Sequence, residues 1–151
     1  YLSFVYCAGV IMTVKLEGTF EEVIDKMETL PSKVVYDLLS ESVDFLINKS
    51  PVDTGAYIES HALSSGGSKT RSVSPRGRKK GTGNRSKAKE QLKGDLAELD
   101  FSQNTFVFNN HAKHASIVEN NPRGTVKSPH IYTQLQNYIG TGEVEVMDPN
   151  G

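Results

Sequence analysis

The sequence predicts an α+β fold in which N-terminal helices pack on a small antiparallel sheet, with a long basic loop and a short C-terminal helix. Residues 32–48 repeat apolar side chains at three- and four-residue steps, which is the period of one face of a helix. Residues 13–17 and 143–146 alternate apolar and polar side chains, which is the period of a half-buried strand. At 151 residues the chain has the length of a single domain.

Residues 1–12 form an apolar run that we interpret as either an N-terminal arm or an upstream extension. The run is shorter than the roughly 20 residues that span a bilayer, and it has no basic residue of the kind that begins a signal peptide. The domain is therefore predicted to occupy residues 13–151. Cys7 is the single cysteine, which excludes a disulfide within the chain and a cysteine-based zinc site.

Two helices are predicted in the N-terminal third. Thr19 and Glu22 have the spacing of a capping box, which predicts a first helix over residues 20–29. Pro31 interrupts this helix and suits the first turn of the second, at residues 32–48. We expect the core to contain six apolar side chains from several elements: Leu38, Leu39, Leu46, Ile58, Phe106 and Phe108.

A tight reversal is predicted after the second helix, at residues 50–56, which have the sequence SPVDTGA. Pro51 ends the helix because the residue before a proline avoids helical backbone angles. The Asp53 side chain can accept a hydrogen bond from the N–H two residues further on, and Gly55 tolerates a positive φ. Residues 57–64 are then predicted to form a strand.

The net charge of -1 hides a strong asymmetry along the chain. Residues 66–93 contain ten basic residues and one acidic residue, so this segment carries +9 and the rest of the chain carries -10. The segment is rich in Gly and Ser and has almost no large apolar residue, so it cannot bury enough surface to offset its ordering entropy. We therefore predict a loop over residues 66–93 that is flexible until a partner holds it.

Five basic residues of this loop are the expected partner contact: Arg76, Arg78, Lys79, Lys80 and Arg85. None of them belongs to a periodic apolar pattern, so neutralising all five is expected to leave the fold intact. The loop has no interleaved aromatic residues, which disfavours base stacking. Three alternatives remain open for the loop: contact with an acidic protein surface, contact with the DNA backbone, and a solvated loop without a partner.

The C-terminal half predicts four further elements: a strand at residues 105–108, a short helix at 111–120, a last helix opened by Pro129, and a strand at 143–146. The last helix places Ile131, Leu135 and Tyr138 on one face. This face is expected to pack against the rest of the domain.

Two residue patterns suggest chemistry, and neither fits its context. The sequence Asp53-Thr54-Gly55-Ala56 also occurs at the active site of retroviral-type aspartic proteases, where two aspartates share a proton. In those enzymes the aspartate follows an apolar strand, whereas Asp53 follows an amphipathic helix and a proline. A second pattern, His111 with His114 and Glu119, lacks the four-residue histidine spacing of His-Glu-x-x-His metal sites. The sequence predicts no catalytic, metal or cofactor site, no small-molecule substrate and no membrane partner.

The order of these segments resembles a family of phage proteins. A helix that ends in residues 50–55 (SPVDTG) and leads into a strand is similar to the Ala-Pro-Val-Asp-Thr-Gly signature of head–tail completion and minor tail (neck) proteins of tailed bacteriophages. In that family a later segment runs Asn-x-x-x-Tyr-Ala-x-x-Val-Glu, followed by Gly and by a Pro that opens a C-terminal helix. Here Ala115, Val118 and Glu119 match this segment, and Pro129 stands where the helix is expected to open.

Two positions depart from the family pattern: His114 stands where Tyr is usual, and Asn120 stands where Gly is usual. The resemblance covers residues 20–138 and implies a structural subunit without catalysis or cofactor. It implies a homo-oligomeric ring, most commonly six-fold, at the head–tail junction of a virion assembled in the host cytoplasm. The ring would lie between the portal-adaptor complex and the tail tube or tail terminator. The residues expected to act structurally are Pro51, Asp53, Thr54, Gly55, Glu119 and Pro129.

A function of another class fits the same sequence, namely a small nucleic-acid-binding module that acts through the basic loop at residues 66–93. The acidic charge outside the loop favours the ring subunit. A dedicated DNA-binding protein usually extends its basic surface onto the folded body.

Overall fold

The structure is a computed structural model that describes residues 9–15, 30–75, 77–79, 84–103 and 105–147. Within these residues the strands are β1 (Gly9–Lys15), β2 (His61–Ser65), β3 (Thr105–Asn110) and β4 (Glu143–Met147). The α-helices are α1 (Leu30–Lys49), α2 (Arg85–Ala97), α3 (Ala115–Asn120) and α4 (Ile131–Ile139). The strands form one antiparallel sheet in the order β2-β3-β1-β4, so the predicted α+β class is confirmed.

Strand β1 lies inside the sheet, between β3 and β4. Val10, Met12 and Val14 are buried in the core. The strand begins at Gly9, so residues 9–12 take part in the sheet, ahead of the domain boundary predicted at residue 13. Partly exposed Ile11 is also apolar, which hides the alternation of a strand in the sequence. The chain therefore enters the sheet before it forms α1, as the strand predicted at residues 13–17 implies, although this strand begins four residues earlier and the helices are not the first elements of the fold.

Helix α1 confirms the helix predicted at residues 32–48 and extends it slightly at both ends. The predicted helix at residues 20–29 lies outside the described residues. Leu38 is only half-buried, contrary to expectation, because it lies beside the buried stripe that contains Val35 and Leu39. The other five expected core residues are buried: Leu39, Leu46, Ile58, Phe106 and Phe108.

The strand predicted at residues 57–64 begins four residues later. A short 3₁₀ helix, Ile58–Ser60, comes first, and its N–H groups bond back to the preceding turn, from Glu59 to the carbonyl of Gly55 and from Ser60 to the carbonyl of Tyr57. These local bonds keep the chain coiled until residue 61, where β2 begins. Ile58 therefore reaches the core from a turn rather than from a strand.

Helix α2 corrects the predicted loop at residues 66–93, because its helical residues begin at Arg85. The side chain of Asn84 caps its first turn by accepting a hydrogen bond from the N–H of Lys87 at 3.1 Å. Ala88, Leu92 and Leu96 recur at four-residue steps and are all buried. Such a narrow apolar stripe in a strongly basic segment gave no clear helical signal in the sequence.

The C-terminal elements follow the predicted order. Helix α3 is shorter than the predicted helix at residues 111–120, and β4 matches the strand predicted at 143–146 with one more residue. Helix α4 buries Ile131 and Leu135, but Tyr138 is 54% exposed and stacks on Phe45 of α1 with 4.8 Å between ring centroids. The described part of the chain contains no helix that is both long and apolar enough to cross a membrane.

Candidate functional site

The turn that follows α1 is closed by Thr54 rather than by Asp53. The Thr54 hydroxyl accepts a hydrogen bond from the N–H of Ala56 at 3.4 Å, which is the two-residue geometry predicted for Asp53. Gly55 has φ 89°, in the left-handed region that favours glycine. Asp53 itself is exposed, so its carboxylate is on the surface of the turn.

We expect the substitution Gly55→Val to lower the free energy of unfolding by at least about 2 kcal/mol, because a β-branched side chain is strained at positive φ. Urea unfolding measures this change. The matched substitution Asp53→Asn is expected to change stability by less than about 0.5 kcal/mol, because Asp53 is exposed. Unchanged stability of Gly55→Val would show that the turn does not depend on glycine. A peptide-cleavage activity that Asp53→Asn abolishes would assign Asp53 to catalysis instead.

A buried polar network begins directly under this turn. The ring of His61 lies between two hydroxyl groups, with Nε2 at 2.7 Å from Ser50 Oγ and Nδ1 at 2.8 Å from the Tyr132 hydroxyl. All three residues are at most 1% exposed. The network therefore joins the end of α1, strand β2 and helix α4, which are distant in the chain.

Asn110 determines which ring nitrogen of His61 carries the hydrogen. Its Oδ1 accepts a hydrogen bond from the N–H of Ala112, so its Nδ2 must donate, to the carbonyl of Tyr57 at 2.7 Å and to His61 Nδ1 at 3.2 Å. Nδ1 of His61 is therefore the acceptor, and Nε2–H donates to Ser50. Burial lowers the pKa of His61 to about 3, so the ring is neutral at physiological pH.

Glu119 is buried and caps helix α4. Its Oε1 accepts a hydrogen bond from the N–H of Tyr132 at 2.7 Å, and its Oε2 accepts from the hydroxyl of Thr133 at 3.1 Å. The first N–H groups of a helix have no partner within the helix, and a carboxylate there also complements the helix dipole. Pro129 lies two residues before the helix, and His130 between them has φ 58° and provides no side-chain cap.

A cavity of about 440 Å³ separates the turn from the segment that contains Glu119. The cavity is lined by residues from both segments on which the family resemblance rests and from two further loops. The lining residues are Pro51, Asp53, Thr54, Gly55, Tyr57, Pro75, His114, Val118 and Val126. Burial lowers the pKa of His114, while the negative charge of Asp53 opposes this effect. The cavity therefore has a largely apolar wall with one acid and one weakly basic ring.

The basic segment crosses this region as an ordered strap, which we define as residues 68–75 and 77–79. The carboxylate of Glu59, only 2% exposed, accepts from Arg78 at 2.6 Å and lies 3.0 Å from the ammonium group of Lys87. Arg78 also donates to the carbonyl of Thr54 at 3.3 Å. Burial alone would raise the pKa of Glu59, but the hydrogen bonds from Lys87 and Arg78 outweigh it and lower the pKa.

A second buried carboxylate holds the other end of the strap. Asp95 of α2 is 3% exposed and binds Lys69 at 2.7 Å and Arg71 through two bonds of 2.8 and 2.9 Å. The side-chain amide of Asn109, on β3, bonds both backbone groups of Lys69. The N–H of Val73 donates to the hydroxyl of Ser60 at 2.7 Å. The strap is thus fixed to the sheet by the backbone as well as by charge.

These contacts change the interpretation of the five expected partner residues. Arg78 binds Glu59, and Arg85 donates to the carbonyl of Ile47 near the end of α1, so both bind their own chain. Lys79 also has an interaction within the chain. Neutralising Arg78 and Arg85 would remove donors from the buried carboxylate of Glu59 and from a carbonyl near the end of α1. For these two residues we therefore expect a loss of stability, unlike the expectation from the sequence. Arg76 and Lys80 lie outside the described residues.

The other candidate chemistry does not converge on one point. In the described part of the chain no three His, Cys, Asp or Glu side chains lie close enough to hold a metal ion. Glu119 caps α4, whereas His114 lines the cavity on the other side of the segment. Asp53 follows a helix and a turn, unlike the strand-borne aspartate of the retroviral-type proteases.

The buried acids Glu59 and Asp95 are the principal residues that the sequence interpretation missed. One signal was present for Asp95, which lies three residues after Leu92 and beside Leu96, within the apolar stripe of α2. An acid in such a stripe needs a cation, because a buried charge is stable only when it is paired. No comparable signal marks Glu59. Comparison with known protein families, with curated proteins and with solved structures finds no match to this chain.

Proposed function

We propose that this chain is a structural subunit of the ring that joins head and tail in a tailed bacteriophage, between the portal-adaptor complex and the tail. The observation that carries the proposal is the arrangement of the segments on which the family resemblance rests. The turn at residues 51–55 and Val118 line the same cavity although they are distant in the chain. Glu119 caps the helix that follows Pro129. These residues act together as parts of one scaffold.

A scaffold role also suits the polar core. The carboxylate of Glu119 and the ring of His61 are buried and occupied by internal hydrogen bonds. Side chains in this state position elements, since they have no accessible atom with which to bind a substrate. An assembly subunit needs such fixed elements, because its neighbours bind to a surface of constant shape.

The contact with neighbouring subunits or with the portal-adaptor is proposed for three basic residues of the segment at 66–93: Arg76, Lys79 and Lys80. The chain outside residues 66–93 carries -10, so adjacent copies offer acidic groups to these three residues. Seven of the ten basic residues of that segment interact within the chain: Lys69, Arg71, Arg78, Lys79, Arg85, Lys87 and Lys89. This internal pairing weakens the alternative of a nucleic-acid-binding module, because less basic charge is left for phosphates.

We expect the purified protein to form a closed ring. Native mass measurement should give a single multiple of the 16.6 kDa chain, and we expect six copies. Particle images should give class averages with the same rotational symmetry. The triple variant Arg76→Gln, Lys79→Gln and Lys80→Gln should shift the population towards monomer. Its control removes three charges from exposed lysines elsewhere, with Lys93→Gln, Lys113→Gln and Lys127→Gln, and should assemble normally.

The competing result is a monomer that binds duplex DNA. Its affinity would fall steeply with salt, with a slope of roughly 0.9 per phosphate contacted. If the triple variant lost this binding and the control variant kept it, the basic segment would serve DNA. The proposal of a head–tail ring would then be wrong.

A further inference from the structure

The two edges of the sheet are covered very differently. Strands β2 and β4 are the outer strands of the order β2-β3-β1-β4. The outer side of any edge strand presents a row of N–H and C=O groups to which another strand can bind. Which of these groups are already occupied therefore decides where the sheet can be extended.

The β2 edge is closed by side chains of the same chain. Asp95 accepts a hydrogen bond from the N–H of Leu63 at 3.0 Å, and Arg71 donates to the carbonyl of His61 at 2.8 Å. Both backbone groups are thus taken by the same ion pair that holds the strap. Strand residues 61–63 are at most 1% exposed, so an incoming strand has no access to this part of β2.

The β4 edge lacks such a cover within the described residues. On its inner side β4 pairs with β1, and the described residues supply no strand for its outer side. Val144 and Val146 are partly buried and pack on the core, so the strand is held in place from one face. Glu143 and Glu145, on the opposite face, are exposed.

The charges on this strand select its partner. Glu143 and Glu145 are two residues apart and therefore lie on the same face. If β4 paired with β4 of a second copy, antiparallel registers centred on residue 144 or 145 would place glutamates opposite each other, which is destabilising. A strand with basic residues at alternate positions would instead place opposite charges across the pair, which is stabilising. Within the described residues, the charges of β4 therefore disfavour these two pairings with its own copy and favour a basic partner strand.

We propose that the outer edge of β4 binds an extended segment of a partner protein with Lys or Arg at alternate positions, which adds to the sheet as a further strand. Backbone hydrogen bonds would supply the binding energy, and Glu143 and Glu145 would supply the selectivity, as in other cases of strand addition. This inference does not depend on the proposed ring, because any basic partner strand with this spacing satisfies it.

The test uses a synthetic seven-residue peptide of alternating threonine and lysine, titrated into the full chain and followed by the NMR signals of its backbone amides. We expect the signals of residues 143–147 to shift. The double substitution Glu143→Gln and Glu145→Gln should weaken binding about fivefold, as expected for two cross-strand charge pairs. The matched control Asp37→Asn and Glu41→Gln removes two exposed acids from α1 and should leave the affinity unchanged.

A second peptide separates strand addition from attraction of unlike charges. It has the same sequence but is N-methylated at every residue, so it keeps its charges and loses its backbone donors. We expect it not to bind. Equal binding of the two peptides, signal shifts spread over the acidic surface without those of β4, or no binding up to millimolar peptide would each overturn the proposal.

Discussion

Replacing Lys69 and Arg71 together by methionine is expected to lower the free energy of unfolding by about 3–5 kcal/mol. The two side chains supply the charged bonds to Asp95, which is 3% exposed and would remain as a buried, unpaired charge. The carbonyl of His61 would also lose its donor, Arg71. Urea unfolding of the double variant against the unchanged chain measures the difference.

Two further variants show whether the buried charge is the cause. Adding Asp95→Asn to the double variant removes the unpaired charge and keeps an oxygen that can accept from the N–H of Leu63, so at least about 1 kcal/mol should return. A control with Lys93→Met and Lys113→Met removes two exposed charges and should change stability by less than about 0.5 kcal/mol. If the Lys69 and Arg71 variant is no less stable than this control, the cluster around Asp95 does not hold the strap.

Lowering the pH from 7 to 5 is expected to reduce the free energy of unfolding by about 2 kcal/mol through His61 alone. Burial lowers the pKa of His61 from its ordinary 6.5 to about 3 in the folded chain. Below pH 6.5 the unfolded chain therefore takes up a proton that the folded chain does not accept. The contribution of His61 to stability is complete above about pH 6.5 and is lost progressively as the pH falls towards 3.

The substitution His61→Gln isolates this effect, because it removes the titrating ring whatever its cost at neutral pH. The slope of stability between pH 7 and 5, measured by urea unfolding at each pH, should largely disappear. The pKa of His114 is also lowered by burial, so a smaller slope of the same sign should remain. His130→Asn is the control, since His130 is exposed and asparagine tolerates its positive φ. An unchanged slope in His61→Gln would show that His61 does not titrate as its burial implies.

Glu59 contributes to the pH dependence of stability only below this interval. The pKa of Glu59 lies below its ordinary 4.5, because the bonds from Lys87 and Arg78 outweigh the effect of burial. Its contribution is therefore present above about pH 4.5 and is lost only as the pH falls through the folded value. Acid unfolding should occur in two stages, the first due to histidine and the second due to Glu59, which binds Arg78 of the strap.

The elements that could be predicted from the sequence are those with a strong local period. Helix α1 has an apolar stripe along its whole length, and β4 has a strict alternation between acid and aliphatic residues. The stop after α1 was also predictable, because proline and glycine act on the backbone of their own neighbours. The sequence could not predict that Thr54 rather than Asp53 closes the turn, because both side chains can accept the same hydrogen bond from the backbone.

The α+β class, the position of the long helix and the asymmetry of charge could be predicted, because composition and periodicity act locally. The role of the basic segment depends instead on contacts between distant parts of the chain. Lys69 and Asp95 are 26 residues apart, and Arg78 and Glu59 are 19 residues apart. Whether such charges meet depends on where the sheet and α2 bring the chain, and burial at the meeting point makes an unpaired partner costly. A segment predicted as a free contact loop is for this reason a strap that closes one edge of the sheet.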